Sequence, residues 1–161
     1  MARDLDGGDL IRIVNPTGIL TDAAWSWLAK VRLISGAIDG RALMKVGPDN
    51  DTSNARGVYS HFRGTGSSNA INVIYGAIAA TGDTALTTGT WYSIGITCSA
   101  SGGGNIQISI DGVSDISQNT DPITEITTGD AYAIGYGFTT NGVAVADLEI
   151  AMQAWVQGVT I

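Results

Sequence analysis

The sequence predicts an antiparallel all-β sandwich, built as a single domain over residues 1–161, and three observations predict it. The composition is that of strands and turns. Hydrophobic residues alternate with polar ones at a period of two. Turn dipeptides and glycine clusters punctuate those runs along the whole chain. Helix formers are scarce: only two lysines and two glutamates (Glu125 and Glu149) occur, while glycine numbers 22. β-Branched residues suit a pleated surface, and Gly, Asn and Asp suit tight turns. The length is enough for one hydrophobic core and short for two. No internal repeat or linker divides it.

The first predicted strand is Leu10 to Val14, ended by Asn15-Pro16, since proline cannot donate to a ladder. Trp25 to Leu33 follows. Trp25, Trp27, Ala29, Val31 and Leu33 share one face, and Ser26, Lys30 and Arg32 the other. Leu43 to Val46 is a short strand running into the polar loop Gly47 to Asn54. Val58 to Arg63 and Ile71 to Tyr75 form a hairpin around Gly64 to Asn69. Residues 77 to 90 are small and polar, a connection with room for a short edge strand.

The clearest pattern comes next. Trp91 to Cys98 places Tyr92, Ile94, Ile96 and Cys98 on one face. After Ser101 to Gly104, Asn105 to Asp111 places Ile106, Ile108 and Ile110 inward. Asp111-Gly112 is a tight hairpin turn. Ala131 to Tyr136 is a further strand. In the last strand, Ala146, Leu148, Ile150, Met152 and Ala154 are expected on one face, with Asp147, Glu149 and Gln153 on the other.

Charge narrows the function. Eight basic residues against fifteen acidic give a net charge of −7, and every Lys and Arg lies at or before Arg63. Nucleic-acid binding needs a basic face and is not expected. No apolar run is long enough for a membrane helix. The charged start Met1-Ala2-Arg3-Asp4 lacks a signal core, so synthesis in a cytoplasm is expected. Cys98 is the only cysteine and is expected to be a buried, inert thiol.

Chemistry-bearing groups are few. His61 is the only histidine and has no Gly-x-Ser-x-Gly elbow to serve. One Cys and one His cannot build a tetrahedral zinc site. Asp49, Asn50, Asp51 and Asn54 form an oxygen-rich loop of the kind that holds calcium, although the same residues are ordinary turn formers.

In order and spacing the pieces resemble the laminin G-like, concanavalin A-like jelly-roll family. Leu5-Asp6-Gly7-Gly8-Asp9 into Leu10 to Ile13 resembles its first strand, and Trp25 to Leu33 its aromatic second strand. Thr88-Gly89-Thr90-Trp91-Tyr92, a strand, a glycine turn and Ile106 to Gly112 resemble its most recognisable stretch. Ala133 to Gly135 and Asp147 to Trp155 resemble its closing strands. Stand-alone domains that begin in this way are similar to small structural proteins of tailed bacteriophages. The resemblance implies a non-enzymatic virion component, on the head surface or tail-associated. It would dock on a major capsid or other virion protein through sandwich edges and loops, with self-association as a further expectation.

The alternative is a lectin-like glycan-binding module, with calcium at residues 49 to 51 as its conceivable ion and no other cofactor. Its ligand candidates are Tyr59, His61 and Trp155, with Tyr75 and Tyr136 as further aromatic platforms. Glucanases share the fold and carry acids at alternate strand positions. Here Asp147 and Glu149, about 7 Å apart along a strand, lack a third acid because that position is Ala151, so catalysis is not expected.

Overall fold

The structure is a computed structural model. It describes residues 3–6, 11–14, 24–34, 42–48, 58–63, 69–75, 78–99, 105–119, 130–134, 138–139, 142–143 and 147–157, with side chains at 24–34, 43–44, 69–73, 80–99, 106–116 and 148–156. In chain order the strands are β1 (Arg3–Asp6), β2 (Ile11–Val14), β3 (Trp25–Leu33), β4 (Ala42–Pro48), β5 (Val58–Arg63), β6 (Ala70–Tyr75) and β7 (Ile78–Thr81). There follow β8 (Trp91–Cys98), β9 (Asn105–Ile110), β10 (Val113–Asn119), β11 (Asp130–Ile134), β12 (Phe138–Thr139), β13 (Gly142–Val143) and β14 (Asp147–Gln157). Among the described residues no helix is long and apolar enough to cross a membrane.

Two six-stranded antiparallel sheets carry the architecture. One has the order β1-β14-β3-β8-β9-β10 and the other β2-β11-β4-β5-β6-β7, while β12 and β13 pair by themselves. The first and last described strands thus sit side by side at one edge of the sheet, Leu5 opposite Leu148, although they lie far apart in sequence. The β5–β6 hairpin forms with Val58 opposite Tyr75, and Ile78–Thr81 is the edge strand expected within residues 77 to 90.

The period-two reading of β3, β8 and β9 is borne out by burial. Trp25, Trp27, Val31, Ile94, Ile96, Ile106 and Ile108 are almost wholly buried, whereas Lys30, Ser93 and Gln107 are exposed; Ser26 and Thr97, on the same side as these three, are buried as well. Register aligns these side chains into rows across the strands: Trp155, Trp27, Ile96 and Ile108 are successive neighbours on the inner face. Leu43, Met44, Ile71, Val73 and Ala80 of the second sheet join the same core. Fully burying one such aliphatic side chain contributes about 1.5–3 kcal/mol, so these rows are the main stabilising element. Cys98 is buried, as expected, and its thiol points to the Ser99 carbonyl.

The tight turn at Asp111-Gly112 has φ of 51° and 80°, with Val113 opposite Ile110. Two positive φ angles define a type I′ turn, whose twist matches that of the flanking strands. Asp111 completes it by accepting the Ser93 N–H at 2.8 Å while donating its own N–H to the Ser93 carbonyl.

The last strand corrects the sequence reading. Ile150 lies opposite Val31 and Met152 opposite Lys30, which leaves Ala151 as an extra, bulged residue. A bulge resets the alternation. Leu148 and Ile150 face inward as expected, but Met152 is 63% exposed and Ala154 is also exposed. Trp155 instead turns to the core, where its ring stacks on Trp25 with centroids 4.8 Å apart.

A second bulge, at Asp115 in β10, fastens the two sheet edges together. Register slips between Ser114 and Ile116. Asp115 Oδ1 accepts the Thr84 hydroxyl at 2.6 Å and the Thr84 N–H at 3.0 Å, from the segment that follows β7. Its Oδ2 lies over Gly82, in the space a Cβ there would occupy. A side chain at position 82 would displace the carboxylate from the place it holds here.

Candidate binding face

The outer face of the β1-to-β10 sheet is the described surface best formed to receive a ligand. Its side chains are the other half of the period-two pattern. Glu149, Arg32 and Trp91 form one row across β14, β3 and β8; Met152, Lys30 and Ser93 form the next. The third row is Ala154, Leu28, Gly95, Ser109 and Ser114, and the fourth contains Ser26, Thr97 and Gln107.

Small residues in the third row hollow the face. Gly95 has no side chain to project; a Cβ there would lie 2.5 Å from Ser109 Oγ and 3.4 Å from Leu28 Cδ2. The result is a hollow of about 330 Å³ lined by Leu28, Lys30, Ser93, Gly95, Ser109 and Met152. A second hollow of about 250 Å³, lined by Thr97, Gln107, Ser109 and Ser114, adjoins it through the shared Ser109 and Gly112. Together they form an open groove across the strands. Ser109 Oγ is 3.5 Å from the Gly95 carbonyl, a long contact that leaves the hydroxyl able to bond elsewhere.

One end of the groove is ordered by charge. Arg32 Nε donates to Glu149 Oε2 at 2.7 Å, and an Arg32 terminal nitrogen approaches the same oxygen. The guanidinium also lies over the Trp91 ring, 5.1 Å from its centroid. At this partial exposure the pair contributes at most about 1 kcal/mol, but it fixes Arg32 and Trp91 as a wall.

The sequence candidates are distributed differently. Asp49, Asn50, Asp51 and Asn54 lie outside the described residues. Tyr59 and His61 lie in β5 of the other sheet, opposite Ile74 and Asn72, with side chains outside the described set, as are those of Tyr75 and Tyr136. Trp155 is part of the core wall. Glu149 of the proposed carboxylate pair is engaged by Arg32, and the Asp147 side chain is not described. Among the described residues no three His, Cys, Asp or Glu side chains are grouped to hold a metal ion. Sequence reasoning missed Leu28, Gly95, Ser109 and Met152. The only available signal was the polar half of the β3, β8 and β9 alternation, which says which side chains face out but not that they enclose a groove.

No family model matches the chain, and no curated protein does. Solved structures do. A heptameric SAP-like pentraxin from Limulus polyphemus is similar at 11% identity and a TM-score of 0.68, over 96% of this chain and 74% of that one. Domains LG4-5 of the mouse laminin alpha1 chain match at 8% identity and a TM-score of 0.69, over 96% and 41%. A putative carbohydrate binding protein from Bacteroides ovatus matches at 13% identity and a TM-score of 0.66, over 96% and 42%. This chain thus spans about two fifths of the length of the latter two. Enzymes share the architecture as well, among them an α-L-arabinofuranosidase at 12% identity and a TM-score of 0.66, so fold alone does not separate binding from catalysis. What the likeness establishes is the fold: an all-β antiparallel jelly-roll sandwich of the laminin G-like, concanavalin A-like type.

Proposed function

We propose that this chain is a non-catalytic carbohydrate-binding sandwich whose ligand lies in the groove across β14, β3, β8 and β9. The observation that carries the reading is the groove itself. It combines apolar walls (Leu28 and Met152) with hydroxyl and ammonium donors (Ser93, Ser109 and Lys30), the mix a sugar needs for its CH faces and its hydroxyls. Two adjoining hollows across neighbouring strands suit a chain of sugars rather than a compact cofactor. The pentraxin, laminin and Bacteroides neighbours support it at the level of fold. Binding rather than catalysis is favoured because Glu149 is committed to Arg32 and Ala151 carries no acid.

The test is a glycan array with the purified chain, run with and without calcium, since residues 49 to 54 are the proposed place for an ion. Binding that Gly95→Val abolishes while thermal unfolding stays cooperative supports the reading. Failure to bind any glycan under both conditions refutes it. A place on a bacteriophage particle is a separate proposal that rests on the resemblance of the opening and strand motifs. Mass spectrometry of purified particles tests it, and absence of the chain from them refutes it.

A further inference from the structure

We infer that the groove is selective for acidic sugars, with Lys30 as the residue that receives the ligand carboxylate; this rests on the carbohydrate reading above. The chain carries a net charge of −7, so an anion would ordinarily be repelled. Yet both basic side chains described, Lys30 and Arg32, stand on this one face of β3. They are not equivalent. Arg32 is neutralised by Glu149 and covered on one side by Trp91. Lys30 is exposed, lines the hollow, and has no acidic partner among the described residues.

Among the described residues no acid is paired with Lys30. Glu149, one row away on β14, is held by Arg32. Asp111, beyond Ser93 on the β8 side, turns its Oδ1 onto the Ser93 N–H. Lys30 is thus the one charged residue among those that line the hollow. A neutral sugar offers it only hydroxyls. A carboxylate offers it a charge-assisted hydrogen bond, roughly twice as strong. Ser93 and Ser109 would then serve the ring hydroxyls, and Leu28 and Met152 the ring carbons.

The experiment is isothermal titration of the whole chain with three sets of oligosaccharides of matched length: uronic-acid oligomers, neutral glucan oligomers, and sulfated glucan oligomers. Uronic-acid oligomers are expected to bind about tenfold or more tighter than neutral ones, and to weaken as salt is raised. Lys30→Gln should remove that preference, so that uronic-acid oligomers bind no tighter than neutral ones. Lys30→Arg should retain most of it, and circular dichroism should show both variants folded. Equal affinity for uronic and neutral oligomers would overturn this inference and leave the carbohydrate reading standing. Preference for the sulfated set over the uronic set would overturn the carboxylate assignment. Binding of none of the three would overturn both.

Discussion

Replacing Trp155 and Met152 separately tests the bulge at Ala151, on which the whole inner face of β14 depends. An unbulged strand would bury Met152 and expose Trp155. The bulged strand does the reverse: Met152 is 63% exposed, and Trp155 packs on the wholly buried Trp25. Removing a fully buried Trp side chain costs about 3–5 kcal/mol. Trp155 is only partly buried, so Trp155→Ala should cost roughly 2–3 kcal/mol, of which about 0.5–1.5 is the stack itself. Met152→Ala touches an exposed position and should cost less than about 0.5 kcal/mol. In a domain of this size about 1 kcal/mol moves the melting temperature by about 2–4 °C. The expected shifts are therefore about 4–12 °C for Trp155→Ala and under about 2 °C for Met152→Ala. Far-ultraviolet circular dichroism is the right probe, because fluorescence would change with the loss of the tryptophan. If Met152→Ala destabilises as much as Trp155→Ala, the bulge and the outward face built on it are wrong.

Other substitutions probe the remaining elements. Gly112→Ala should lose about 1–2 kcal/mol in urea unfolding, since φ is +80° there and the space around it is open, so the cost is conformational and not steric. Asp115→Ala should cost about 1–3 kcal/mol by removing both Thr84 hydrogen bonds. Asp115→Asn, which keeps Oδ1 and replaces the buried, unbonded Oδ2 by an amide donor, should be at least as stable as the parent; a loss equal to that of the alanine variant would contradict the clasp. Glu149→Gln should change stability by no more than about 1 kcal/mol, because the Arg32 pair is partly exposed, and a larger loss in thermal denaturation would mean that Glu149 has a structural role beyond Arg32.

Much of the fold was legible because alternation is a local property. In β3, β8 and β9 large apolar residues recur at every second position, so the sequence marks both the strand and the face that builds the core, although Ser26 and Thr97 on the other side are buried too. Asp111-Gly112 was legible for a similar reason: few dipeptides accept two positive φ angles. The phase error in β14 arose because a bulge leaves no compositional mark. Ala151 is unremarkable in the sequence and is set aside only by pairing with Lys30 and Val31 more than a hundred positions away. The strand Arg3–Asp6 escaped notice because four residues show too little periodicity, and its partner is β14.

The candidate site divides in the same way. Alternation alone places Lys30, Arg32, Ser93 and Gln107 opposite the buried isoleucines and tryptophans, because successive side chains along a strand point to opposite faces. Strand pairing brings Leu28, Gly95 and Ser109 into one row, sets Glu149 against Arg32 and not Lys30, and turns Met152 toward the groove and Trp155 away from it. The physical reason is register: hydrogen-bonded pairing between distant strands fixes which outward residues become neighbours, and no local pattern encodes it.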